Sequence, residues 1–240
     1  MTEATGIDQL MRRVRIRDSP GDRLGTVLTI TLLPVPIVSA LYASHRLLAG
    51  TPEAGGSGAL SYLIYGCVNL LVVAILYVIL TPKRRESVFV FHRPSAGEVA
   101  GSLGAFLAGL GVYQVTARVN AVLGVQMSGF SYSLNDPMTV FAVVAGAVVL
   151  APVTEEILYR GLVLGALTDR GIGSVSATVV MTALFAVIHL PNFGVGGTIF
   201  ISAWGILPAI LRIRYENLVG AVVMHVLNNL FAYVIVVKLG

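Results

Sequence analysis

Residues 138–160 read MTVFAVVAGAVVLAPVTEEILYR, and this stretch decides the fold class. From Met138 to Thr154 no residue carries a charge; then Glu155, Glu156 and, four residues on, Arg160 arrive together. An apolar run of this length suits the hydrocarbon core of a bilayer, where about 17 to 25 residues of helix are needed to cross. Ionisable groups are costly there, so by default they mark a functional site.

The rest of the chain agrees with that environment. Of its 240 residues 56% are apolar and only 12% charged, against about a quarter charged in soluble domains. The mean hydropathy is +0.85. These values describe an integral membrane protein, an all-α polytopic bundle in contact with the lipid bilayer. The excess of 16 Lys and Arg over 12 acids lies beside apolar spans, which fits topology signals and anionic lipid rather than a nucleic-acid partner. The lone Cys67 excludes an intrachain disulfide and a cysteine-based metal cluster.

Hydropathy predicts about seven spans, with six to eight compatible with the soft boundaries: 24–44, 59–81, 97–117, 138–160, 174–190, 196–211 and 217–237. The sixth is the weakest, being short and holding Gly205 and Pro208, and is expected to tilt, kink or re-enter. With seven spans and a cytoplasmic N-terminus, 13 of the 16 Lys and Arg fall on the cytoplasmic side. Arg46, Arg118 and Lys238 fall opposite, an asymmetry expected of a plasma (inner) membrane protein with its N-terminus inside. The first span is expected to be a retained helix rather than a signal peptide, because it is long and contains Pro34 and Pro36. In the third, Gly97, Gly101, Ala105 and Gly109 put small residues on one face, a helix-packing signature. His45 and His92 fall in or beside loops and are expected to be solvated or interfacial. Trp204, Tyr215, Phe231 and Tyr233 are expected to pack or anchor.

Three helices of the second half carry polar groups that a span does not need. In the first, Glu156 and Arg160 are four apart, share a face and can pair. Glu155 then points about 100° away and is free to act as a base. The second ends in Phe185-Ala-Val-Ile-His189, and the third carries His225 and Asn229 on one face. A carboxylate base, a histidine to orient water, and a histidine with a carboxamide to hold an oxyanion together suit amide hydrolysis by activated water. No Gly-x-Ser-x-Gly elbow is present, and Cys67 lies in the other half of the chain, so a covalent serine or cysteine mechanism is disfavoured.

Each motif alone has an ordinary explanation: an intrahelical ion pair, a helix-end histidine bonded to a carbonyl, a helix–helix hydrogen bond. Together and in this order, Glu-Glu-x-x-x-Arg, Phe-x-x-x-His and His-x-x-x-Asn resemble the CPBP family of intramembrane proteases, which includes the CAAX prenyl endopeptidases and the Abi or bacteriocin-processing proteins. The resemblance covers about residues 137–237. It implies that Glu155 is the general base aided by His189, that His225 and Asn229 form the oxyanion site, and that Glu156 and Arg160 complete the motif as an orienting pair. It also implies a division into a basic cytoplasmic tail (1–23), accessory transmembrane helices (24–136) and a catalytic core (137–240).

The expected function is that of an intramembrane endopeptidase acting on a membrane-associated protein or peptide near the cytoplasmic face. No obligatory metal is expected, since His-Glu-x-x-His is absent, although two glutamates and two histidines leave zinc or another divalent ion open. The alternatives are a non-proteolytic membrane protein, such as a bacteriocin-immunity or sensor-regulating protein, and a small proton-coupled transporter. Under the expected topology His189 sits at the outward end of its span and Arg160 at the inward end of its own, a tension that only the structure can resolve.

Overall fold

The computed structural model describes residues 24–49, 57–129 and 132–239. The basic tail expected at 1–23 lies outside the described residues. Among the described residues every regular element is helical. They are α1 (Leu24–Leu32), α2 (Pro34–Ala49), α3 (Ser57–Ile79), α4 (Pro82–Val88), α5 (Ala96–Leu123), α6 (Pro137–Asp169), α7 (Ser174–Val187), α8 (Leu190–Trp204), α9 (Ile206–Tyr215) and α10 (Val219–Leu239). α1 and α2 form one apolar element broken before Pro34, which interrupts the helical hydrogen-bond ladder. Position 45 lies within α2, so it is helical rather than in a loop.

Six stretches are long and apolar enough to cross a membrane: 24–41, 58–79, 96–123, 137–169, 190–215 and 219–239. With α7 this is a helical membrane bundle of the expected class, but two spans exchange character. The fifth is the short one: α7 has 14 residues, about 21 Å of helix against a hydrocarbon core of about 30 Å. The sixth, expected to be short, runs as α8 and α9 over 26 residues. Gly194 breaks its regular path with φ 66° and ψ −172°, a conformation that only glycine adopts without strain.

The longest helix, α6, is not uniform. Asp136 caps it by accepting the Thr139 N–H at 2.7 Å, and that backbone hydrogen bond holds the Asp136 carboxyl below the usual carboxylate range. Two wide π-helical segments, Val143–Leu150 and Glu156–Val163, flank a short α-helical piece that ends at Glu155. The first has a sequence cause in Pro152, which lacks an N–H. Ala151 donates five residues back to Gly146. In that register the donor for the Ala147 carbonyl is Pro152, so this carbonyl must find another partner.

Packing joins α3 to α6 more closely than ordinary side chains allow. A Cβ at Gly66 would lie 2.9 Å from Leu150 Cβ, and one at Gly146 would overlap the Tyr62 backbone. Small residues at a helix crossing are the usual means of close approach in a membrane. Gly146→Ala is therefore expected to lower stability by about 1–3 kcal/mol through overpacking, measured as a lower unfolding midpoint in detergent. The small face of α5 behaves as expected: Gly101 abuts Tyr215, and Gly109 lies against Trp204 and Met224.

The start of α10 is set by α5. The buried Glu98 accepts the Gly220 N–H at 2.7 Å and the Asn217 amide at 3.0 Å, placing a carboxylate at the positive end of α10. Asn217 in turn bonds both backbone groups of His92. His92 itself is exposed, as expected. This clasp fixes the helix that carries His225 and Asn229.

Candidate active site

Depth resolves the tension between Glu155 and His189. α6 continues nine residues past Arg160, so the charged triplet lies inside the helix rather than at its end. Glu155 is 14 residues before Asp169, and α7 runs 14 residues from Ser174 on the far side of a short turn. The two arms are of similar length from that turn, and His189 lies within electrostatic reach of Glu155. Arg160 and Arg212, counted with the loop cations in the charge asymmetry, are both buried.

Glu156 is the hub. Its Oε1 accepts Arg160 Nη1 at 3.0 Å and His225 Nδ1 at 2.8 Å. The Glu156 and Arg160 side chains are both 0% exposed, so neither charge is relieved by solvent. Arg160 Nη2 donates to the Gly205 carbonyl at 2.8 Å, at the junction of α8 and α9, and its guanidinium lies 4.6 Å over the Phe185 ring. Yet Glu156 Oε2 and Arg160 Nε are buried without a hydrogen-bond partner. A bridge kept for stability alone is costly in this half-satisfied form, which favours retention for function.

With its Nδ1–H given to Glu156, His225 turns Nε2 toward Glu155, 3.7 Å from Oε2. That is too long for a direct hydrogen bond, yet short enough for one water to bond both atoms. Trp204, expected to be a packing residue, stands edge-on to the His225 ring at 4.9 Å. Tyr65 of α3 donates to the other oxygen of Glu155 at 2.9 Å. Nothing in the sequence marked it, because one tyrosine on an apolar helix is an ordinary packing residue.

His189 donates Nδ1–H to the Phe185 carbonyl at 2.7 Å, four residues back, and leaves Nε2 free to accept. Its ring packs on Phe185 at 4.7 Å and is stacked on Phe193, within electrostatic reach of Glu155 and His225. Asn229 is tied differently. Its Nδ2 donates to the Ala147 carbonyl at 2.9 Å, the group that Pro152 leaves without a backbone donor. One of its two N–H groups is thus spent on joining α10 to α6.

The sequence that carries this site matches a known family. Residues 137–231 match the family described as Rce1-like, type II CAAX prenyl endopeptidase. Over that span the chain is similar to the CAAX prenyl endopeptidases. No curated protein and no solved structure matches the chain. The matched region begins at the first residue of α6 and contains Glu155, Glu156, Arg160, His189, His225 and Asn229; it leaves out α3 and Tyr65.

The side chains of the site bear on whether a metal could bind. Among the described residues no three or more His, Cys, Asp or Glu side chains converge to hold one. Glu156 Oε1 and both histidine Nδ1 atoms are already engaged with protein groups, and Cys67 is exposed on α3.

Proposed function

We propose that the chain is an intramembrane endopeptidase that hydrolyses a peptide bond of a membrane-associated protein or peptide by a glutamate-activated water. The observation that carries this is the pair of carboxylates held in different states of engagement: Glu156 committed to Arg160 and His225, Glu155 presenting Oε2 at 3.7 Å from His225 Nε2. Water bound by Glu155 Oε2 and His189 Nε2 gives a proton to Glu155 as its oxygen bonds the scissile carbonyl carbon. The carbonyl oxygen becomes an oxyanion, received by His225 Nε2–H and the remaining N–H of Asn229. In this role His225 donates from both ring nitrogens, Nδ1 to Glu156 and Nε2 to the oxyanion. Glu155 then passes its proton to the leaving nitrogen as the carbon–nitrogen bond breaks.

The Rce1-like match supports a peptide bond near a prenylated C-terminus as one substrate class; a leader or a membrane-anchored regulator is the other. Terminal-peptide enrichment from membranes of wild type and Glu155→Ala cells distinguishes these. A new terminus that is present in wild type and lost in the variant is expected; identical terminal peptide sets in the two strains would contradict the proposal. Since no step uses a metal, cleavage is expected to survive exhaustive chelation, measured beside the metal content of the purified protein. Loss of cleavage on chelation with recovery on adding zinc would overturn that part of the account.

A further inference from the structure

Among the described residues, Tyr65 is the side chain from outside the matched region that hydrogen-bonds a carboxylate of the site. Its position is built rather than incidental. The close crossing at Gly66 and Gly146 brings α3 against the π-helical part of α6, just before Glu155. One turn on, the buried Asn69 donates Nδ2 to the Tyr65 carbonyl at 3.0 Å. A phenylalanine would fill the same space on an apolar helix, so the hydroxyl serves its partner rather than the packing.

That partner is one oxygen of a carboxylate whose two oxygens have different neighbours. Oε1 accepts from Tyr65, and Oε2 faces His225 Nε2. An unanchored carboxylate rotates about its last bond and presents either oxygen; a donor on one side holds the other in place. Proton abstraction depends on such orientation, because small misplacements of a catalytic group are costly in rate.

We infer that Tyr65 is a positioning residue of the hydrolytic site, holding Oε1 of Glu155 so that Oε2 is the oxygen that takes the proton from water. This rests on the proposed hydrolytic function. It also extends the working site beyond residues 137–231 to a helix of the first half of the chain.

The test uses the full chain in lipid vesicles and a fluorogenic peptide spanning the cleavage site found in the terminal-peptide comparison. Tyr65→Phe is expected to lower kcat by roughly 10- to 100-fold, the size of one hydrogen bond to a charged group, with KM and the unfolding midpoint close to wild type. p-Aminophenylalanine at position 65 keeps a donor and is expected to restore most of the rate, whereas p-methoxyphenylalanine is not. Wild-type kcat in Tyr65→Phe, or equal rates for the two unnatural side chains, would overturn the assignment. A loss of rate that only tracks loss of folded protein would do so too. Glu155→Gln is measured alongside: if it turns over like wild type, the hydrolytic function fails, and if it is inactive while Tyr65→Phe is normal, only the role of Tyr65 fails.

Discussion

Glu155→Gln is expected to lower kcat for peptide cleavage by about 10²- to 10⁴-fold while leaving KM and the unfolding midpoint near wild type. The amide keeps the size of the side chain and can still accept the Tyr65 hydroxyl, but it cannot take a proton from water, and general-base catalysis supplies a factor of this size. The effect should fall on kcat alone, because the base acts in the transition state rather than in substrate binding. Steady-state kinetics on the reconstituted protein, with thermal unfolding as a control, separates this from a folding defect. A variant that retains a tenth or more of wild-type turnover would remove Glu155 from the role of base.

The second large effect concerns stability. Arg160→Met leaves Glu156 as a buried carboxylate whose remaining partner is His225, and removes the donor to the Gly205 carbonyl. Breaking a fully buried ion pair from one side costs about 3–5 kcal/mol. The single variant is therefore expected to unfold far earlier in denaturant. The double variant Glu156→Leu with Arg160→Met removes both charges and is expected to recover most of that loss, since buried pairs exchange for apolar side chains at little net cost. It should stay inactive, because His225 Nδ1 loses the carboxylate that fixes its ring. If the single variant were as stable as wild type, the pair would not be the buried hub described here.

Much of this was legible in the sequence, and the remainder has identifiable reasons. Charges inside an apolar run marked Glu155, Glu156 and Arg160, and helical spacing separated Glu155 from the pair, because periodicity is a local property. The second partner of Glu156 was not legible: His225 is 69 residues away and meets it only through packing. Asn229 was expected to serve an oxyanion together with His225, and it has two N–H groups. One is bonded to Ala147, for a reason that lies in Pro152 and the widened turns of α6. Hydropathy found the membrane elements but misjudged which was short, since residues 188–190 remain apolar or uncharged after α7 has ended. Tyr65 carried no signal, as nothing in α3 tells a packing tyrosine from one aimed at a carboxylate 90 residues on.

Direct attack by water, without a covalent intermediate, is what the proposed roles of Glu155, His189 and His225 most specifically predict. Rapid-quench mass spectrometry of a single turnover in ¹⁸O-water reads this on enzyme and product together. The expected result is one ¹⁸O in the new C-terminal carboxylate and an enzyme of unmodified mass at every time point; a transient enzyme adduct with the mass of the N-terminal product would contradict it.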